Sequence, residues 1–191
     1  MAFFALAISR LGVVSFHRCV LSHVIAFLFQ HTTSHRTMTA QQRIEALGIE
    51  LPPSSAPAAN YVNAVRSGNL LFIAGKAPLP IAGALPKGRL GKEFTTEEGY
   101  TFARSACIDL IAVMKSELGS LDQVVRVVEI QGFVNAVPEF EDHAKVMNGA
   151  SDLLVQVFGA NGVHARSVLG ASSLRGGLPL VLKAVVEVAP L

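Results

Sequence analysis

Between Thr95 and Gly119 the apolar residues fall at Ala103, Ala106, Cys107, Leu110, Ile111, Met114 and Leu118. That three-to-four-residue repeat is the signature of a helix with one buried face. Thr95, three residues ahead of Glu98, forms a capping box, and Gly119 supplies the stop. A second stripe, Phe140, Ala144, Met147, Leu154 and Val157, predicts a second helix, opened at its first position by Pro138 and closed by Gly159. Asn148 and Gly149 in its middle are poor helix formers, which reads either as a kink or as an amide aimed at a site. Runs rich in β-branched residues surround these helices. Residues 61–65 and 70–74 flank Arg66, Ser67, Gly68 and Asn69, a hairpin signal. Residues 121–134 read as a long strand, and 167–171 and 180–188 as two more around the loop 172–177. The proline-rich stretch 51–57 is extended, and 78–91, with three prolines and three glycines, is a long ordered loop.

The resulting order, ββ, α, β, α, ββ, packs two helices on one face of a mixed sheet, an α+β sandwich. At 191 residues and 51% hydrophobic, the chain can bury one sizeable core and is short for two. Val124-Val125-Arg126-Val127-Val128 is apolar on both faces of its strand, so a sheet covered by helices on one side only would expose valine on the other.

Charge divides the chain in two. The formal net charge is +2, but Arg10, Arg18 and Arg36 lie before Met38, and the first acid is Glu45. Without those three arginines, residues 38–191 hold 13 basic and 14 acidic groups, a net charge of −1. A body so close to neutral lacks the electrostatic footprint of a nucleic-acid binder. Residues 1–37 read as a leader separate from a single domain at 38–191. Apolar patches there are interrupted by Arg10, His17 and Arg18. The longest patch, about eleven residues including His23, is well short of the ~20 that span a bilayer, so no membrane association is expected of the body. Arginine and serine without acids fit a mitochondrial-type transit peptide; untranslated sequence ahead of a start at Met38, or an anchor or secretory signal, are the alternatives. Localisation is then mitochondrial if the leader is a transit peptide and cytoplasmic otherwise. Cys19 and Cys107 provide neither a disulfide framework nor metal-ligand spacing.

Arg166 is the first candidate for chemistry. It begins an apolar strand, follows the Gly-Ala-Asn-Gly loop and His164-Ala165, and has few acids nearby in sequence. Its planar, permanently charged fork suits a carboxylate; the plain alternative is a strand-end arginine paired with a structural acid or with water. Tyr61 offers a phenol to donate or stack, and is otherwise a half-buried strand aromatic. Gly75 ends a strand where a backbone could approach a ligand, or merely terminates it.

The segments YVNAVRSGNLLFIAG (61–75), GFV (132–134), ARS (165–167) and LP (178–179) together resemble the Rid/YjgF family of imine and enamine deaminases, also labelled endoribonuclease L-PSP. The similarity covers about 44–188 and is greatest to a branch with a longer second helix, carrying VMNGASDLL (146–154). The resemblance implies a chorismate-mutase-like ββαβαββ fold with a mixed six-stranded sheet, assembled as a homotrimeric barrel with ligand clefts between subunits. It implies that Arg166 grips the carboxylate of a 2-imino acid and that Tyr61, Gly75 and Asn148 line the cleft. It also implies imine hydrolysis by water without a cofactor. One departure stands out. Deaminating members carry a glutamate in the last strand where this chain has Val181; Lys183 follows on the same face, and Glu187 lies two further pairs along. A positioned base contributes typically 10²–10⁴-fold, so Arg166 preserves anion binding while Val181 removes the usual water activation. The alternatives are thus a deaminase, a non-catalytic trimeric binder of small carboxylates, and, least supported, a ribonuclease. The last would need His143 and His164 brought together.

Overall fold

In the computed structural model, which describes residues 38–54, 57 and 59–190, two capping boxes start two of the three helices. The leader assigned to 1–37 lies outside the described residues. Thr39 accepts from the Gln42 backbone and the Gln42 side chain returns the bond, opening α1 (Ala40–Ala46). Thr95 and Glu98 do the same for α2 (Thr96–Leu118), which Gly119 ends at φ 74°. Six of the seven positions of the predicted α2 stripe, Ala103, Ala106, Cys107, Leu110, Ile111 and Met114, are at 0% exposure, and the last, Leu118, is half-buried. Helix α1 was not expected, because a seven-residue helix that buries only Ile44 shows no periodic stripe.

The second expected helix, α3 (His143–Phe158), ends at Gly159 but does not begin at Pro138. Pro138 instead sits in a turn closed by the Phe140 N–H on the Val137 carbonyl, and the Asp142 carbonyl takes the first helical bond, from Val146. Asn148 and Gly149 do not kink α3. Gly149 lies where α2 crosses: a Cβ there would run into the Tyr100 carbonyl, so glycine is what lets the two helices approach.

Five strands form the sheet: β1 (Ala64–Ser67), β2 (Leu70–Lys76), β3 (Val124–Asn135), β4 (Ala165–Ala171) and β5 (Leu180–Val188), in the order β1-β2-β5-β3-β4. Only β3 and β4 run parallel. The expected ββαβαββ order holds, but the strand count is five, not six. The proline- and glycine-rich loop adds only isolated bridges, Ile81 with Ala84 and Leu90 with Phe94 and Ala136. The first hairpin turns on Gly68 and Asn69, with Gly68 at φ 58°.

The core lies between the sheet and the helices, where Ile130, Leu180, Leu182 and Val186 meet Leu110, Met147 and Leu154. The opposite face carries Val65 (55% exposed), Phe72 (45%), Val125 (43%) and Leu169 (49%). Among the described residues no helix is long and apolar enough to cross a membrane.

Candidate functional site

Arg166 registers against Ile130 on β3, and residues paired across strands share a face, so its side chain lies on the helix side of the edge strand β4. There α3 meets it. The Arg166 Nη1 donates to Asn148 Oδ1 at 2.9 Å and to Ser151 Oγ at 3.1 Å. Asn148 and Ser151 are three residues apart on α3, so they share one face of the helix. Both acceptors are neutral. Among the described residues no carboxylate lies within ion-pair distance of Arg166, and neither Nε nor Nη2 makes a hydrogen bond. The guanidinium is exposed, tethered by one nitrogen and open along its other edge.

Behind this group stands His164. Its Nε2 is 3.1 Å from Ser151 Oγ, and its Nδ1 is 2.6 Å from the Gly162 carbonyl oxygen. His143, the other histidine considered, packs edge-on to Phe140 with ring centroids 5.2 Å apart and lies beside Gly170. His143 is eight residues before Ser151 on α3, about 12 Å along the axis. The two histidines therefore make no acid–base pair within one chain.

Tyr61 and Gly75 come together elsewhere. With Asn63, Lys76, Asp109 and Arg175 they line a cavity of about 410 Å³ at the end of β2. From Gly75 on β2 to Arg166 on β4 the sheet crosses β5 and β3, at least about 14 Å. Within one chain the four expected site residues thus form two groups, Arg166 with Asn148 and Tyr61 with Gly75. Val181 belongs with the second. It registers against Phe133 on the open face of the sheet, and a Cβ on Gly75 would meet its Cγ1 at 2.8 Å. Lys183 registers against Gln131 on that same face. Neither can reach Arg166 in its own chain.

The cavity also holds a pair that the pattern of the sequence did not reveal. Lys76 is 5% exposed; its Nζ donates to Asn63 Oδ1 at 3.0 Å and lies 3.9 Å from Asp109 Oδ2. Burial raises the Asp109 carboxyl above its ordinary value, and the Lys76 charge opposes that rise. Cys107 is inert: burial pushes its thiol up to about 12, beyond the range of a working nucleophile. Ser151 and His164 were also missed as partners of Arg166. The available signal was their spacing, Ser151 one turn past Asn148 and His164 two residues before Arg166.

Comparison with known proteins agrees with this architecture. Residues 41–182 match the family described as "YjgF/chorismate mutase-like, putative endoribonuclease". Protein TCP17 of Trypanosoma cruzi is 41% identical over 145 residues, which cover 75% of this chain and 91% of that protein. A "putative endoribonuclease" from Shewanella oneidensis superposes with a TM-score of 0.76 at 30% identity, over 79% of this chain and all (100%) of the other. E. coli TdcF, crystallised with bound serine, shares the fold with a TM-score of 0.54 at 17% identity, over 74% of this chain and 98% of its own. The chain belongs to the YjgF/chorismate-mutase-like family.

Proposed function

We propose that this chain binds small carboxylates, 2-imino acids among them, on Arg166, and that it hydrolyses the imines to 2-oxo acids and ammonia. The observation that carries the reading is the state of that guanidinium. Nη1 is fixed by two neutral oxygens, while Nε and Nη2 present parallel N–H donors with no partner among the described residues. This is the edge on which arginine takes a carboxylate bidentately, and the tether has already removed much of the side-chain freedom that binding would otherwise cost. Serine, the molecule bound by E. coli TdcF, carries an α-carboxylate of the same kind.

The assembly is part of the proposal. A homotrimer would cover Val65, Phe72, Val125 and Leu169 on the bare sheet face. It would also let the Tyr61–Gly75 cavity of one copy complete the Arg166 site of another, since the two groups stand apart within one chain. A second reading, binding without turnover, is favoured by Val181, which offers no group that can carry a proton.

The full chain mixed with freshly generated 2-iminobutyrate should release ammonia faster than buffer alone. Titration with 2-oxobutyrate should give saturable binding that Arg166→Ala weakens at least about 100-fold, the loss of a charge-assisted bidentate contact. Binding without ammonia release would select the second reading. Full-strength binding by Arg166→Ala would remove both.

A further inference from the structure

We infer that Ser151 and His164 form a proton relay serving the ligand held on Arg166; the inference rests on the hydrolytic reading above. With the His164 ring neutral, every bond in the chain has one allowed direction. A backbone carbonyl only accepts, so His164 Nδ1, 2.6 Å from the Gly162 oxygen, carries the ring proton. The neutral ring then turns a lone pair at Nε2 toward Ser151 Oγ, 3.1 Å away, and the hydroxyl donates to it. Arg166 has only protons to give, so Ser151 Oγ accepts from Nη1, also at 3.1 Å. The sequence Arg166 to Ser151 to His164 to the Gly162 carbonyl runs without a conflict of donors or acceptors.

The anchor is rigid. Gly162 is buried, and a Cβ on it would run into the Leu154 carbonyl of α3, so the residue whose carbonyl orients the imidazole is packed against the same helix that bears Ser151. A backbone carbonyl thereby sets the tautomer and orientation of the histidine, the task that a carboxylate performs in serine–histidine–aspartate sites. The guanidinium at the other end polarises the serine oxygen and eases loss of its proton toward Nε2.

Hydrolysis of an imine needs this kind of group. The oxygen of water bonds to the imine carbon while the C=N π pair takes up a proton on nitrogen. The C–N bond then breaks with its electron pair on nitrogen, which gains the second proton as the C=O bond forms. Both protons start on water and finish on ammonia; no oxidant, reductant or co-reactant enters. A base that accepts one proton and returns it serves both steps, and it can act through an intervening hydroxyl or water.

The test separates chemistry from structure. His164→Asn keeps a side-chain N–H positioned for the Gly162 carbonyl but has no acceptor in place of Nε2. In the full chain acting on 2-iminobutyrate, His164→Asn should lower kcat about 100-fold or more and leave KM within about threefold. His164→Ala should fall comparably, and added imidazole should restore about tenfold of the loss. A His164→Asn kcat within about threefold of the unaltered protein overturns the relay and leaves the hydrolytic reading intact. No acceleration by the unaltered protein overturns both, while 2-oxobutyrate titration still reports whether Arg166 binds.

Discussion

Lys76 on β2 and Arg166 on the edge strand β4 are both cations reached by a helix, and the fold treats them differently. Lys76 is enclosed and given an acid, Asp109, from α2, with Asn63 taking a further hydrogen bond. Arg166 is left at the surface with the amide oxygen of Asn148 and the hydroxyl of Ser151 from α3. Neutral acceptors orient a guanidinium without neutralising it, whereas a carboxylate would compete with any anionic ligand. Burial explains the division: a lysine that deep cannot stay charged without compensation, and an exposed arginine can. The same type of charge is structural in one place and available for recognition in the other.

The largest effect that would test this division comes from removing the compensated cation. Lys76→Met leaves the Asp109 carboxylate without its counter-ion in a site only 14% exposed, which should cost about 3 kcal/mol in urea unfolding, the lower end for a broken buried pair. Lys76→Met combined with Asp109→Leu should recover most of it. Arg166→Ala, by contrast, should move stability by less than about 0.5 kcal/mol, as for an ordinary surface change, even though it removes ligand binding. Equal destabilisation by the two single changes would erase the distinction.

The ease with which these features could be read from sequence follows their range along the chain. Local rules gave the capping box at Thr95, the stripe of α2, the Gly68–Asn69 hairpin and the stop at Gly159. They failed where a tertiary partner decided the outcome. Pro138 suits a helix start, yet the turn at Val137 and Phe140 claims it. Gly149 looked like a possible break in a helix, but it exists for the crossing of α2. Arg166 and Asn148 could each be picked out, but their bond depends on β4 lying beside α3. The Lys76–Asp109 pair joins a strand end to the middle of a helix and leaves no local pattern. The sorting of Tyr61 and Gly75 away from Arg166 follows from strand order, which periodicity does not encode.

A smaller effect should follow from loosening the tether while keeping the charge. Asn148→Ala removes one of the two acceptors on Nη1 and leaves the open edge of Arg166 unchanged. The guanidinium regains rotational freedom that binding must then remove, so affinity for 2-oxobutyrate should drop about five- to tenfold, the cost of immobilising one long side chain. Isothermal titration would detect this readily. Asn148→Asp tests the same point from the opposite side: a carboxylate at this position would pair with Arg166 and should weaken binding more than alanine does. An aspartate variant that binds as tightly as the unaltered chain would mean that neutrality around Arg166 carries no functional weight.

The last and subtlest expectation concerns acid. The Asp109 carboxyl is raised above its ordinary value by burial, with Lys76 opposing. A carboxyl whose value is higher in the folded chain binds its proton more tightly there than in the unfolded chain. Its contribution to stability is therefore fully present below the ordinary aspartate range and is lost as pH rises through the raised folded value. Asp142 behaves in the opposite sense, because the Lys145 hydrogen bond lowers its carboxyl, and its contribution is lost as pH falls. Surface pairs of that kind dominate ordinary acid unfolding, so the Asp109 term emerges only as a difference. The stability of the unaltered chain minus that of Asp109→Asn should grow as pH is lowered through the acid range and shrink again toward neutrality. The corresponding difference for Arg166→Ala should stay flat over the same range, since no titrating partner is bonded to Arg166. A difference that instead shrank on acidification would mean that Lys76 outweighs burial at Asp109, making the pair a net electrostatic gain and not a compensated cost.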